Sequence, residues 1–350
     1  MPISSLQDFF VQWHLTERCN LRCTHCYQTG TKTDELSLDE IRKVLNEIID
    51  MLEAWSGMYQ LEFSPSLNIT GGEPFLRNDL FEILEEMSTG GFALYLLTNG
   101  TLIDNEKAEK LARLGINGVQ VSIEGPEGIH DFIRGSGSFA ASCKGVSHLV
   151  EAGLRVTLNA TLSEINAENF LDMVDIATAL GVQRLGFSRL VPSGRGLDLV
   201  NRMIGRAEVR EIYASIFGLD TGTLEIVTGD PVASQMRKGP GLVDDCGSIA
   251  TGGCAAGISG LTILADGTVT PCRRLPIPVG NVRQDSLREI WANSDILDQL
   301  RNRSQYKGCC GSCRRWAVCR GCRAIAYAYS LSLGQPDILA EDPQCFINCS

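Results

Sequence analysis

From Val11 to about Phe217 the chain alternates short β-rich runs with stretches whose apolar residues recur at three- and four-residue spacing, the pattern of parallel βα units. The strand candidates are 11–16, 67–70, 92–98, 118–123, 155–161 and 184–190. The clearest helix between them opens at Ser37, which makes a capping box with Glu40 and leads into Ile41, Val44, Leu45, Ile48 and Leu52. Further helices are expected over 79–89, 105–114, 139–152, 167–180 and 207–217. Six such units predict an α/β fold, an open partial (β/α)6 barrel rather than the closed eight-unit form. In a barrel of this kind the strand C-terminal ends and the loops after them share one mouth, so reactive side chains should collect there.

Beyond this region the text changes character. Gly/Pro-rich stretches at 191–196 and 221–240 break the alternation, and the second reads as a linker that divides the chain into 1–230 and 231–350. After it, 258–264 and 268–270 flank Asp266 and Gly267, the sequence of a tight β-hairpin, and a short helix near 286–294 leads to a cysteine-dense tail. An apolar content of 44% over 350 residues is enough for a large packed domain and a smaller one. The net charge of -11 argues against nucleic acid or an anionic membrane as partner, because phosphate binding needs clustered Lys and Arg. No apolar run reaches the ~18 residues of a membrane span, and the opening MPISSLQDFF lacks the basic start and apolar core of a secretory signal. A cytoplasmic location is the expectation. In a reducing compartment the 14 cysteines are better explained by metal ligation than by disulfides. Three stand near the start, Cys143 stands alone, and ten fall between Cys246 and Cys349.

Cys19, Cys23 and Cys26, spaced C-x-x-x-C-x-x-C, directly follow the first strand. A [4Fe–4S] cluster takes four ligands, so three thiolates leave one iron open to a small molecule, although thiolates also suit zinc. The surrounding text WHLTERCNLRCTHCYQ, with Asn20, His25 and Tyr27, resembles the signature of the radical S-adenosylmethionine (SAM) superfamily. That resemblance implies a partial TIM-like (β/α)6 barrel in which the amino and carboxylate groups of SAM chelate the open iron. Gly71-Gly72-Glu73-Pro74, after the second strand, resembles the family's GGEP element, whose glycines admit a close backbone and whose carboxylate can bind an ammonium. The resemblance places further SAM contacts at strand ends: Asn99 after the third, Ser122 and Glu124 at the fourth, and Asn159 in the fifth. Tyr27 is counted with them, and Arg134 of HDFIRG is a candidate partner for the SAM carboxylate. Strand caps and a surface ion pair are the ordinary alternatives for these polar residues. No general base is assigned, since His14 and His25 only flank the site and His130 and His148 stand in no constellation.

In the C-terminal region Cys254 and Cys272 bracket the hairpin, followed by Cys310, Cys313, Cys319, Cys322 and Cys345. Two C-x-x-C pairs suit zinc knuckles as well as iron–sulfur clusters. The order and grouping resemble the SPASM extension of radical SAM enzymes, which implies two auxiliary [4Fe–4S] clusters. By that resemblance the first takes Cys254, Cys272 and Cys322 with Cys246, and the second takes Cys310, Cys313, Cys319 and Cys345. Cys143, Cys309 and Cys349 are left over, the first expected to be a small buried hydrophobe.

The resemblance implies a radical SAM/SPASM oxidoreductase or maturase. One electron from the cluster cleaves the sulfonium, and the resulting 5′-deoxyadenosyl radical takes hydrogen from the substrate while the protein orients and shields it. Auxiliary clusters fit a net two-electron oxidation. A peptide or protein substrate is the leading expectation, a tetrapyrrole of a haem-type pathway the runner-up, and an iron–sulfur or zinc carrier without turnover the third reading. Only about ten residues precede the first strand, so a peptide would need direct docking or a separate carrier. Arg273 and Arg274 stand where sulfatase-maturing relatives place an aspartate base, and VPSGRG and CRGCRAIAYA resemble the group with haem-synthesis and pyrroloquinoline quinone cross-linking enzymes. Arg195, Arg273 and Arg274 can meet substrate carboxylates or lie in solvated loops. A low-potential donor, a ferredoxin or flavodoxin, is implied as partner.

Overall fold

The computed structural model describes residues 6–30, 33–236 and 249–347. Cys246 and Cys349 lie outside the described residues. Among the described residues ten strands form one sheet: β1 (Leu6–His14), β2 (Glu62–Thr70), β3 (Ala93–Thr98), β4 (Gly118–Ser122), β5 (Val156–Leu162), β6 (Arg184–Arg189), β7 (Glu225–Val227), β8 (Gly260–Ile263), β9 (Thr268–Thr270) and β10 (Gly280–Asn281). Their order is β10-β9-β8-β1-β2-β3-β4-β5-β6-β7, parallel from β8 to β7 and antiparallel from β8 to β10, so the barrel stays open. The six expected strands are all present. Period-2 burial explains them: in β5, Val156, Leu158, Ala160 and Leu162 are buried while Thr157, Asn159 and Thr161 are less so.

The helices are α1 (Leu38–Tyr59), α2 (Leu80–Thr89), α3 (Asn105–Arg113), α4 (Glu127–Arg134), α5 (Ser138–Glu151), α6 (Asp172–Ala179) and α7 (Arg206–Phe217), then α8 (Leu287–Asn293), α9 (Asp295–Arg301), α10 (Gly308–Ser312) and α11 (Arg323–Ser332). The Ser37 capping box forms in both directions, the Glu40 carboxylate accepting the Ser37 N–H at 2.8 Å and the Ser37 hydroxyl accepting the Glu40 N–H at 3.3 Å. Three expectations change. The helix expected over 167–180 is a 3-10 turn, Ala167–Asn169, followed by the shorter α6. The supposed linker is partly built into the fold, as β7 and a 3-10 turn at Pro231–Met236. Cys143 is half-buried against the core rather than fully enclosed.

The hairpin forms as expected, with Asp266 Oδ1 accepting the Thr268 N–H at 3.0 Å. Its first strand also extends the barrel sheet. β8 pairs with β1 at Phe10↔Gly260, where a Cβ would stand 2.5 Å from the Phe10 carbonyl oxygen. The larger buried cluster therefore runs through the barrel and includes Leu261, Ile263, Val269, Leu287 and Ile290, while a second cluster gathers Leu297, Leu300, Tyr306, Trp316, Ile325 and Leu339. This second core lies among the tail cysteines.

Candidate active site

The loop after β1 carries Cys19, Cys23 and Cys26, and the GGEP loop after β2 is bonded to it. Gly72 N–H donates to Thr16 O at 2.7 Å and Glu73 N–H to Arg18 O at 2.8 Å. A Cβ at Gly71, whose φ is +145°, would lie 2.3 Å from Thr16 O, and one at Gly72 would lie 2.1 Å from Arg18 O. The glycines let two backbones touch. Glu73 is wholly buried, and its carboxylate accepts from Thr98 Oγ1 at 2.8 Å and from the Asn99 N–H at 2.9 Å. Burial pushes its pKa up to about 7, partly offset by those donors. Pro74 starts a single 3-10 turn, and Asn99 Nδ2 donates to Asn20 Oδ1 at 2.9 Å.

The sulfurs receive donors. Leu21 N–H points at Cys19 Sγ at 3.4 Å, and Arg134 Nη1 lies 3.8 Å from Cys23 Sγ. Burial pushes the Cys19 thiol up to about 11 and raises Cys23 as well, so without a metal these are neutral thiols. An all-sulfur donor set with N–H groups and a guanidinium aimed at it fits an iron–sulfur cluster, whose sulfurs accept such hydrogen bonds.

Glu124, just past β4, sits at the centre of an ion-pair network. It accepts from Arg134 Nε at 2.9 Å, His25 Nε2 at 3.1 Å and the Thr161 N–H at 2.7 Å. Burial raises its pKa, but Arg134 and His25 outweigh burial and hold the carboxyl well below the usual range. His130, assigned to no constellation from sequence, accepts the Glu124 N–H through Nδ1 at 3.2 Å. Periodicity could not show that α4 folds Arg134 and His130 back onto the end of β4.

An open cleft of about 920 Å³, counted out to solvent, joins these groups. Cys19, Cys23 and Cys26 line it together with Tyr27, Gly71, Gly72, Asn99, Ser122, Arg134 and Asn159, whereas Glu73, Pro74 and Glu124 are not among its lining residues. Tyr27 Oη is 3.4 Å from His14 Nε2, and the Arg273 guanidinium lies 6.0 Å from the Tyr27 ring centre. Arg195, Arg273 and Arg274 also line the cleft, which replaces the solvated-loop alternative for them.

In the tail, Gln235 Nε2 reaches both Cys345 Sγ at 3.3 Å and Cys319 Sγ at 3.6 Å. Arg315 N–H points at Cys313 Sγ at 3.4 Å, and Arg323 Nη2 lies 3.5 Å from Cys310 Sγ. Cys345 stands near enough to Cys313, Cys310 and Cys319, and Cys322 to Cys254, for each to resist ionisation of the other, and Arg274 stands near Cys272 and Cys322. Burial raises the Cys319 thiol to about 12 and Cys322 in the same direction. Sequence reasoning missed Asp342, whose carboxylate accepts the Cys322 N–H at 2.7 Å and pairs with Arg189 at 2.9 Å. Its signal was its place three residues before Cys345.

A family model described as the radical SAM superfamily matches residues 13–177, and the SPASM iron-sulfur cluster-binding domain matches 254–323. The AdoMet-dependent heme synthase of Methanosarcina barkeri is 33% identical, with 96% of this chain and 95% of that protein covered. Its counterpart in Nitratidesulfovibrio vulgaris is 31% identical, covering 96% and 91%. The mycofactocin maturase MftC of Mycolicibacterium smegmatis is 31% identical, covering 95% and 81%. The crystal structure of Streptococcus suis SuiB bound to S-adenosylmethionine shares the fold, with a TM-score of 0.75 at 17% identity over 97% of this chain and 78% of that one. Among the described residues no helix is long and apolar enough to cross a membrane. The chain belongs to the radical SAM superfamily and carries its SPASM domain: it is an enzyme that binds SAM and uses iron–sulfur clusters for a radical-mediated modification.

Proposed function

We propose that this enzyme oxidises a side chain of a tetrapyrrole in haem-type cofactor biosynthesis. The observation that carries this is the likeness to two heme synthases over 96% of the chain, at 33% and 31% identity. The peptide substrate favoured by the sequence alone becomes the second reading, supported by the likeness to the mycofactocin maturase.

Cys19, Cys23 and Cys26 are assigned to the SAM-binding cluster, with Tyr27, Gly71, Gly72, Asn99, Ser122, Arg134 and Asn159 as the wall of the SAM pocket. With both groups bound, the cluster supplies one-electron cleavage of the sulfonium and hence a carbon radical for hydrogen abstraction. The chain's own residues do the positioning. Glu124 holds Arg134 against Cys23, and Glu73 ties the GGEP loop to the end of β3. The partition of auxiliary ligands into Cys254, Cys272 and Cys322 on one side and Cys310, Cys313, Cys319 and Cys345 on the other is supported by Gln235 bridging Cys319 and Cys345 and by the nearness of Cys254 to Cys322; Cys246 is kept as the fourth ligand of the first set on the resemblance alone. The division near residue 230, a cytoplasmic location and a ferredoxin or flavodoxin donor are part of the same proposal. The two separate family matches, over 13–177 and 254–323, support the division, and the thiol-rich composition supports a reducing compartment.

Anaerobically reconstituted enzyme with SAM and a strong reductant should form 5′-deoxyadenosine in excess when iron coproporphyrin III is added, with oxidative loss of mass from that porphyrin. Excess deoxyadenosine with a Cys- or Gly-rich peptide and none with porphyrins would overturn the reading.

A further inference from the structure

We propose that Arg195, Arg273 and Arg274 form a clamp for the carboxylates of the substrate, propionate groups on the tetrapyrrole reading on which this rests. Among the described residues, those that line the cleft include four arginines and no Asp, Glu or Lys, in a chain with 42 acidic and 31 basic residues. Arg134 is already neutralised by Glu124. Among the described residues the other three make no ion pair with a carboxylate; Asp230 acts on Arg274 only through space. Arg273 Nη1 donates to Gln12 Oε1 at 2.7 Å and Arg274 Nη1 to Arg189 O at 3.2 Å, both neutral acceptors. Among the described residues the buried Nε atoms of Arg195 and Arg274 have no acceptor. Three half-buried guanidiniums that line one cleft and make no ion pair form a site that an anion completes.

The clamp is fixed relative to the cysteines. Arg195 N–H donates to Gln28 O at 3.3 Å and Gly196 N–H to Cys26 O at 3.0 Å. A Cβ at Gly194, φ +56°, would stand 2.2 Å from Tyr27 O, so the Arg195 loop lies directly on the cysteine loop. Arg273 and Arg274 follow the Cys272 end of the hairpin that β8 fastens to β1. Carboxylates held by these three side chains set which carbon–hydrogen bond faces the SAM site. The single carboxylate of SAM does not account for three cations. The competing role is charge balance for a neighbouring cluster, because Arg274 lies near Cys272 and Cys322.

The test is a binding titration of the holoenzyme without SAM, under anaerobic conditions, followed by the Soret band. Iron coproporphyrin III and its tetramethyl ester are compared in one detergent-containing buffer. The free acid should bind about tenfold or more tightly than the ester, and Arg195→Gln and Arg273→Gln/Arg274→Gln should each weaken the acid by about tenfold while leaving the ester unchanged. Equal affinity for acid and ester overturns the clamp and leaves the tetrapyrrole reading standing. Unchanged acid affinity in the variants, with altered cluster EPR signals, overturns it in favour of charge balance. Binding of neither compound overturns the reading and the clamp together. Should the double variant fail to fold, the ester comparison and Arg195→Gln decide the matter.

Discussion

Gly72 has no space for even a methyl group, because Arg18 O would lie 2.1 Å from it. Gly72→Ala should therefore push the GGEP loop off the cysteine loop, costing about 1–3 kcal/mol as an overpacked contact and most of the SAM-cluster iron. Iron and sulfide analysis after reconstitution checks this, and a full cluster complement would contradict it. Glu73 gives a pH dependence of definite sign. Its pKa in the folded chain is about 7 against an ordinary 4.5, so the folded state holds the proton more tightly than the unfolded one. Stability of the SAM-free protein should thus be highest below pH 4.5 on this account and fall as pH rises from 4.5 to about 7. Glu73→Gln, which keeps an acceptor for the Asn99 N–H, should flatten that slope in thermal unfolding. The motif residues were legible because cysteine spacing and the GGEP text are local. The place of Glu124 in its ion-pair network was not, since it depends on α4 returning Arg134 to the end of β4.

At the scale of elements, periodicity exposed the long pieces and hid the short ones. α1 spans 22 residues and shows its apolar stripe and capping box in the sequence; β7 and β10, of three and two residues, are too short to show any period. They exist because neighbouring strand edges offer unpaired backbone groups. Ser37→Ala should lower stability by about 1 kcal/mol through the lost cap, read from denaturant unfolding. Glu40 lies beside Arg283, whose hydrogen bond, together with the Ser37 N–H, lowers its pKa from 4.5 to about 2. Its contribution is present above pH 4.5 and is lost as pH falls toward 2. Because the pair is partly exposed, Glu40→Gln should cost about 1 kcal/mol or less at neutral pH and nothing at the acid end.

Across the whole molecule, Arg189 at the end of β6 joins the barrel to the tail. It donates to Asp230 at 2.6 Å, to Asp342 at 2.9 Å and to Gln344 at 2.8 Å, all of these side chains being buried. Asp342→Leu should leave part of that charge uncompensated, at about 3–5 kcal/mol, and release the Cys322 N–H from its acceptor. The expected result is a lower melting temperature with loss of auxiliary iron while Cys19, Cys23 and Cys26 keep their cluster; an unchanged iron count would contradict it. The sequence by itself determined the βα alternation, the barrel mouth as the place of chemistry and the two cysteine regions, because each is written in neighbouring residues whose spacing matches a helix turn, a strand pleat or a metal ligand set. Only the tertiary structure decided that β8 completes the barrel edge, that Asp342 meets Arg189 across 153 positions, and that three arginines from two distant segments line the cleft beside the cysteines. Those relations come from packing and charge pairing between parts of the chain that share no local pattern.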